Sequence, residues 1–599
     1  MNVFAAICAA SATRKRNKSA SHVGHKALLS KPSGARGLRQ LSLRPPPMYF
    51  AILLLVQLAL LGIVFPIGNF PLNDDWAYAH SVLWMLDEHR LRLSNWIAMN
   101  LLSQTLLGAA AAKLFGFSFT GLRAVTQLVA MLTSLVAFSF YRTAGLSRSA
   151  SLVATLVLVA TPWWQVLANT YMTDLYGLLF GLLAATYFLR HLAEPRPMFL
   201  LLAVLFTVVG VLQRQVVLVI PLAFMCAWTA RLTIWRAWPM IQGVLPLAIA
   251  FATEMAYQAY LEGGPGIPAA QQVIQGRIFP MLVGVLTFKT ESVLWFFLNL
   301  AGLLGYLGLV VTPWVSWLGG AIRATGLLRW LVLGALCLFA ITVAWDWLPP
   351  YRENNVIDRA GIGPFTVHDG FDRDADGLDR STGIFWLSMA GLVAVGTMAM
   401  LAAALRTPRV LVREFRERAG SSLFHACVVL AYLVPFAVTD YFDRYVLFVL
   451  PFVLVWMHSV FFADAVPAGR LARAVTVVLV SCYGVMSAVA THDYFAWNRA
   501  RWEAIEFATQ SLGANPRTLD GGFEYNGFFN FERMRLSGSR QDKNFWWVED
   551  DHYQVAFFGR AGYQVVKIFP VDAWLPRTPA TVLLLRRVES DVPFEARLN

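Results

Sequence analysis

This sequence is poor in charged residues. Asp, Glu, Lys and Arg together make up 14% of its 599 residues, whereas 57% are hydrophobic and the mean hydropathy is +0.55. Exposing so much apolar surface to water is unfavourable, so we expect lipid to surround most of the chain. The composition therefore excludes the string of soluble domains that the length alone would suggest.

Cysteine is scarce, and acids are missing from the N-terminal segment. Four of the five cysteines lie in apolar segments and one lies in the tail, which indicates neither disulfides nor a thiolate metal site. Residues 1–47 carry nine Lys or Arg and no acid, as in a disordered basic tail and unlike a signal peptide. Basic cytoplasmic loops explain the net charge of +13. Binding to nucleic acid is a poorer explanation of this charge, because the sequence has no zinc-finger spacing and no basic-aromatic repeat.

About thirteen apolar segments are predicted to cross the membrane. They are 49–69, 119–141, 149–165, 172–190, 198–213, 216–230, 240–260, 291–311, 330–347, 383–405, 423–440, 445–464 and 474–491. If the basic tail is cytoplasmic, every inner connection carries Arg, as the positive-inside rule requires. The outer connections then hold Asp74, Asp75, Asp174, Glu262 and the acid-rich stretch 346–379, and an odd number of spans places the C-terminus outside.

The predicted fold class is a multi-pass α-helical membrane protein with a small extracytoplasmic α/β domain. A catalytic membrane domain at 48–491 follows the disordered cytoplasmic tail at 1–47. Residues 71–118 are predicted to form a first outer loop with interfacial amphipathic helices, and 346–382 an acidic outer loop. The C-terminal domain at 492–599 is predicted to be periplasmic, with a helix at 497–512 and strands at 553–558, 563–569 and 581–585.

Two adjacent acids, Asp74 and Asp75, follow the first apolar segment. Ionisable groups beside a membrane span are costly and are candidates for function, although acids at the end of a span also simply mark where a helix leaves the lipid. Adjacent carboxylates repel, so usually one serves chemistry while the other is hydrogen-bonded or paired. A carboxylate just outside the lipid can act as general base toward an acceptor hydroxyl.

Two outer positions are candidates for substrate binding. Asp174 closes the segment Tyr-Met-Thr-Asp at the level of the Asp pair, and we expect Thr173 or Asp174 at least to cap the helix that follows. Arg214 lies between two spans and offers a planar, permanently charged donor fork that suits phosphate. A plain polar turn would also account for the triplet 213–215.

Further candidates lie in two later outer connections. Arg444 and Tyr445 belong to a short turn before a span that contains Pro451. Arg444 either pairs locally with Asp443 or faces an anionic lipid headgroup, and both alternatives stay open at this point. Further outer cations that suit phosphate are Arg352 and Arg359.

Three acids in the acidic loop resemble the start of a calcium site. Asp372, Asp374 and Asp376, followed by Gly377, match the first positions of a calcium-binding loop. Gly383 stands where an EF-hand needs Glu, and flanking helices are missing. A solvated acidic turn is the favoured interpretation, and a weak divalent-cation site is the alternative. No other cofactor is predicted.

Taken in order, these motifs resemble the lipid-linked-sugar glycosyltransferases of the GT-C fold, whose members include the protein O-mannosyltransferases and the lipid A aminoarabinose transferases. The resemblance covers roughly 49–460. It rests on the Asp pair after the first span, on Phe-Gly-Phe-Ser at 115–118 with Arg123 opening the second span, on Tyr-Met-Thr-Asp at 171–174, and on Asp-Arg-Tyr at 443–445. It implies that an acid of the first outer loop is catalytic or positions the acceptor, and that outer Arg or Lys residues hold the donor phosphate. The family often has Asp-Glu where this chain has Asp74-Asp75.

The resemblance implies an inverting glycosyltransferase in the bacterial cytoplasmic (inner) membrane. It would move a sugar from a polyprenyl-phosphate donor to a hydroxyl of an envelope glycan, lipid such as lipopolysaccharide, or protein on the periplasmic face, with membrane lipids and no nucleic acid as partners. The chemistry agrees: an oxocarbenium-like transition state needs a base for the acceptor and a cation for the leaving phosphate. A transporter or lipid flippase is the main alternative, and a membrane anchor for a glycan-binding C-terminal domain is a third.

Overall fold

The computed structural model describes residues 47–232, 237–344, 355–358, 361–364, 383–417, 420–439, 441–462, 468–537, 547–575 and 580–588. Its architecture is a large bundle of helices followed by a small sheet. The helices are α1 (Pro47–Val64), α2 (Asp75–Asp87), α3 (Leu102–Phe115), α4 (Phe119–Thr143), α5 (Arg148–Val159), α6 (Pro162–Ala168), α7 (Asp174–Ala193), α8 (Pro197–Val211), α9 (Val219–Thr229), α10 (Ala237–Gly263), α11 (Ala269–Leu286), α12 (Thr290–Ala324), α13 (Leu328–Ala344), α14 (Gly383–Glu417), α15 (Ser421–Val438), α16 (Val446–Phe461), α17 (Arg470–Ser511) and α18 (Phe523–Ser537). Two 3-10 turns, Gln215–Leu218 and Asp443–Tyr445, precede α9 and α16.

The multi-pass helical prediction is confirmed. Among the described residues, nine helices are long and apolar enough to cross a membrane, and the bent pair α5 and α6 would make a tenth span. Each of the thirteen predicted segments coincides with one of these helices, with that pair, or with one of three shorter apolar helices at 197–211, 215–229 and 328–342. Helix α11 was not predicted, because Gln271, Gln272, Gln275 and Arg277 interrupt its apolar run.

The break between α5 and α6 has a local cause. Pro162 occupies the first turn of α6, where its missing N–H costs nothing, and the Thr161 hydroxyl accepts a hydrogen bond from the Trp164 N–H at 3.2 Å. A new helix therefore begins here at an angle of 68° to α5. The bundle centre lies around α7 and α16, which are the most deeply buried of the spans.

Helices α2 and α3 lie in the first loop. Arg123 of α4 fixes the start of this loop. Its guanidinium donates hydrogen bonds to the carbonyl oxygens of Pro66 and Gly68 at 3.0 Å and of Phe70 at 2.9 Å. Three carbonyls converge on one buried cation, so the chain that leads into Asp74 and Asp75 has a defined path.

The C-terminal part is a helix-and-sheet unit packed on that loop. The strands are β1 (Leu519–Asp520), β2 (Tyr553–Ala556), β3 (Tyr563–Pro570) and β4 (Thr581–Arg587), in the order β1-β2-β4-β3. Strands β1 and β2 are parallel and the other neighbours are antiparallel. The predicted helix at 497–512 is the end of the 42-residue helix α17, since no Gly or Pro interrupts the chain after the apolar run. Helix α18 packs on α2 through an aromatic cluster around Trp76.

Candidate active site

Four charged side chains from distant parts of the chain meet at one end of the bundle. Asp74 immediately precedes α2, Asp174 is the first residue of α7, Arg214 precedes the turn Gln215–Leu218, and Arg444 lies in the turn before α16. Two of them stand at the starts of the two central helices, so the folding of the bundle brings the group together. We call these four residues the charge cluster.

The charge cluster is an alternating chain of acids and cations. Arg444 Nη2 donates to Asp74 Oδ2 at 3.1 Å, and Arg444 Nε lies 3.9 Å from Asp174 Oδ2. The other carboxylate oxygen of Asp174 accepts a hydrogen bond from Arg214 Nη1. Only 2%, 6% and 5% of the side chains of Arg444, Arg214 and Asp174 are exposed, against 12% of Asp74. Asp74 is therefore the member of the cluster most open to a substrate.

Tyr445 lies close to both guanidinium groups. Its ring centroid is 5.2 Å from the central carbon of Arg214 and 5.7 Å from that of Arg444, within the range of cation–π attraction. The Tyr432 hydroxyl donates to the backbone oxygen of Tyr445 at 2.7 Å and so fixes the turn. The Arg214 side chain packs against Gly177. A Cβ atom at position 177 would stand 2.9 Å from Arg214 Cδ, so a larger residue there would collide with the arginine.

Some buried polar atoms of the charge cluster make no hydrogen bond to any described residue. Among the described residues, Nε of Arg214, Nε of Arg444 and Oδ2 of Asp174 are buried and have no hydrogen-bond partner. Leaving buried polar atoms unpaired is costly, and such atoms concentrate at sites that bind something else. The two Nε–H groups are donors that an anion can accept from, while the arginines keep their carboxylate partners.

Asp74 is oriented by a second donor. Trp96 Nε1 donates to Asp74 Oδ1 at 2.8 Å, so each oxygen of this carboxylate has one partner. Asn355 Oδ1 accepts from Arg444 Nη1 at 2.5 Å and from Asn73 Nδ2 at 3.1 Å, which ties the first loop to the turn before α16. These partners hold Asp74 and Arg444 in one arrangement.

The hydrogen-bond partners of Asp75 lie outside the charge cluster. Its oxygens accept hydrogen bonds from the backbone N–H groups of Tyr171 at 2.8 Å and Leu72 at 3.3 Å. Burial raises the pKa of Asp75 to about 8, although the nearby Arg123 guanidinium and these two donors oppose the rise. Asp75 therefore joins the first loop to the segment before α7, and the structure separates the two adjacent acids by location.

Tyr78 lies in the first turn of α2, four residues after Asp74. Burial raises the pKa of the Tyr78 hydroxyl well above its usual range. The negative charges of Asp74 and Asp174 raise this pKa further, and the positive charge of Arg444 lowers it. Tyr78, Trp96 and Asn355 are neighbours of the site that the sequence did not point to. Only Trp96 carried a signal, as an aromatic residue expected at the membrane boundary.

Two local roles suggested by the sequence are wrong. Arg444 does not pair through its side chain with Asp443, because that carboxylate accepts from the backbone N–H groups of Val356, Ile357 and Arg444 at distances from 2.5 to 3.1 Å. Thr173 is the N-cap residue of α7 but its side chain makes no capping hydrogen bond, and Asp174 is engaged with Arg214.

The structure gives no position for the remaining predicted site residues. Arg352, Arg359, Asp372, Asp374 and Asp376 lie outside the described residues. Within the described ranges, no group of three or more His, Cys, Asp or Glu side chains could hold a metal ion. The charge cluster itself pairs each acid with an arginine.

Comparisons with known proteins gave matches among solved structures alone. No family model matches the chain, and no curated protein matches it. The chain is similar to the oligosaccharyltransferase AglB from Archaeoglobus fulgidus, in complex with an inhibitory peptide and a dolichol-phosphate, at 13% identity and a TM-score of 0.40, over 77% of this chain and 58% of AglB. It spans less than two thirds of that protein.

A second similar structure is ArnT from Cupriavidus metallidurans. The apo form matches at 12% identity and the form bound to undecaprenyl phosphate at 13%, both with a TM-score of 0.38, over 90% of this chain and 98% of ArnT.

Proposed function

We propose that this protein is an inverting glycosyltransferase that moves a sugar from a polyprenyl-phosphate carrier to an acceptor hydroxyl of the cell envelope, on the periplasmic face of a bacterial inner membrane. The observation that carries the proposal is the buried charge cluster, in which Arg444 joins Asp74 to Asp174. Four ionised groups at the end of a membrane bundle are expensive to keep, and function is the usual reason to keep them.

In the proposed reaction Asp74 is the general base. The acceptor oxygen forms a bond to the anomeric carbon while the bond from that carbon to the phosphate oxygen breaks. The hydroxyl proton moves to a carboxylate oxygen of Asp74, and the electron pair of the broken bond leaves with the phosphate. Attack from the face opposite the leaving group inverts the anomeric carbon, and the base typically contributes a factor of about 10²–10⁴ to the rate.

The phosphate is proposed to bind at Arg444 and Arg214. Each has a buried Nε–H with no hydrogen-bond partner among the described residues, so each can donate to a phosphate oxygen and still hold its carboxylate. Two fixed guanidinium groups would stabilise the charge that develops on the leaving phosphate without any need to reorganise water. The Tyr445 ring, which is close to both groups, would help to hold them in place.

Purified protein tests the proposal directly. In detergent micelles, a polyprenyl-phosphate sugar and an extract of envelope glycolipids are expected to give a glycolipid heavier by one sugar residue, detected by mass spectrometry. Arg444→Lys should lose most of this product, whereas Arg517→Lys, on the exposed side of the C-terminal unit, should match the unmodified protein. Equal product from both variants would contradict the phosphate role of Arg444.

A transporter remains the second candidate because of the break between α5 and α6. Broken helices with polar linings are typical of transporter sites, and a crevice beside this break is lined by Gln57, Gln127, Gln165 and Asn169. The micelle experiment separates the two functions, since a transporter has no activity without a sealed compartment. Product formation in micelles would favour the transferase, and lipid movement in vesicles without product would favour the transporter.

A further inference from the structure

A second group of buried polar residues shares no member with the charge cluster. Glu254 belongs to the apolar helix α10 and is 8% exposed. Its oxygens accept from Asn100 Nδ2 at 2.6 Å and from Gln258 Nε2 at 2.8 Å. Among the described residues, no Lys, Arg or His forms an ion pair with it. An ionised carboxylate in a membrane helix is very costly without a positive partner.

The side chains around Glu254 are carboxamides. Asn100 Oδ1 accepts from Gln215 Nε2 at 2.8 Å, from Gln271 Nε2 at 3.3 Å and from Gln258 Nε2 at 3.5 Å. The group thus gathers Glu254 and Gln258 of α10, Gln271 of α11, Gln215 beside Arg214, and Asn100 of the first loop. We call these five residues the amide cluster.

The amide cluster has more acceptors than donors. Oε1 of Gln258 and Oε1 of Gln271 are buried and have no hydrogen-bond partner among the described residues, and these two residues are 9% and 2% exposed. The Nε2 atoms of the same two residues donate to Glu254 and to Asn100. Glu254 and the two glutamines that carry these unused oxygens are all hydrogen-bonded to Asn100. Oxygens of this kind are satisfied by a cation or by a further donor.

We propose that the amide cluster binds one monovalent inorganic cation of the size of Na⁺. The ligands would be a carboxylate oxygen of Glu254 and the carboxamide oxygens of Gln258 and Gln271. Hard oxygen ligands suit alkali and alkaline-earth ions and do not suit zinc or copper. A single carboxylate is neutralised by a single positive charge, whereas a divalent ion would leave a net charge inside the membrane bundle.

The ion would also support the turn that carries Arg214. Asn100 Nδ2 donates to the Val211 carbonyl at 2.9 Å, and the Leu101 N–H donates to the Gln213 carbonyl at 3.1 Å. The amide cluster therefore anchors both the end of α8 and the loop that holds Trp96 against Asp74. Any effect of the ion on sugar transfer depends on the proposed function, but binding of the ion does not.

Binding is measured on the full-length protein in detergent with ²²Na⁺ and a scintillation proximity assay. We expect saturable binding of one Na⁺ per chain that unlabelled NaCl displaces and choline chloride of equal ionic strength does not. Glu254→Gln should abolish this binding, while Glu262→Gln, exposed on the same helix, should keep it. A second pair gives the same contrast: Gln271→Leu should weaken binding and Gln272→Leu, on the exposed side of α11, should not.

Thermal unfolding gives an independent readout. NaCl, but not choline chloride, should raise the melting temperature in a saturable way, and Glu254→Gln should remove this difference while remaining folded. Absence of saturable ²²Na⁺ binding to the unmodified protein, or equal binding to the Glu254→Gln variant, would overturn the proposal. Since neither experiment contains a sugar donor, failure here leaves the transferase assignment unaffected, and loss of transfer leaves the ion site unaffected.

Discussion

The two adjacent acids of the first loop offer the sharpest prediction, because the structure gives them different partners. Asp74→Asn is expected to abolish sugar transfer while the protein still folds. Asp75→Asn is expected to leave turnover per folded molecule largely intact. Both substitutions replace an oxygen with an NH₂ group next to a donor, so each is the matched control for the other.

The magnitudes follow from the contacts. Asn at position 74 can accept from Trp96 or from Arg444 but not from both, so one hydrogen bond is lost, at a cost of about 1–3 kcal/mol in stability. Arg444 keeps Asn355 as a partner. Loss of the general base is expected to lower the transfer rate by about 10²–10⁴-fold. At position 75, one of two backbone N–H donors loses its acceptor, with a similar cost of about 1–3 kcal/mol in stability and no loss of a base.

The assay follows transfer from a polyprenyl-phosphate sugar to envelope glycolipid in micelles. The rate is divided by the folded fraction, which is measured by size-exclusion chromatography and thermal unfolding. The reasoning is refuted if the Asp74→Asn variant keeps the full rate, or if Asp75→Asn loses as much rate per folded molecule as Asp74→Asn.

Four further outcomes are expected. Arg214→Lys should raise the KM for the donor by about tenfold, because a point charge replaces a planar fork that contacts both Asp174 and Tyr445; an unchanged KM would contradict a phosphate role. Trp96→Phe should lower the transfer rate by roughly tenfold through loss of the bond to Asp74 Oδ1, with its aromatic contacts retained; steady-state kinetics measure this change. Gly177→Ala should lower transfer by displacing Arg214, whereas Gly62→Ala, with open space around its Cα, should not. Because the pKa of Asp75 rises from 3.8 to about 8 on folding, its neutral form favours the folded state, and this contribution is lost as the pH rises through that interval; melting temperatures of Asp75→Asn should therefore fall less steeply than those of the unmodified protein between about pH 5 and pH 8.

The membrane bundle was predictable from the sequence because uncharged apolar runs of about twenty residues are typical of membrane spans. Apolar patterning also found the strands β2, β3 and β4, whose runs are bounded by Gly and Pro. It missed α11, where polar residues break the run, and the two-residue strand β1, which is too short to leave a pattern.

The site was predictable in part. Asp74, Asp174, Arg214 and Arg444 were predicted as candidates because charge at the end of a span is costly, and the structure brings these four side chains together. Their pairing could not be foreseen, since Asp74 and Arg444 are separated by 370 residues. Asn355 could not be predicted for the same reason, because its contacts depend on where Asp443 holds the segment 355–357. The amide cluster could not be predicted either, because its members come from the first loop, α10, α11 and the turn after α8.

The central claim, that Arg444 and Arg214 bind the phosphate of a lipid carrier beside Asp74, is tested most directly by an experimental structure of the protein with polyprenyl phosphate. The account predicts phosphate oxygens within about 3 Å of Nε or Nη atoms of both arginines. Phosphate bound elsewhere, for example in the crevice beside the break between α5 and α6, with the charge cluster unchanged, would contradict it.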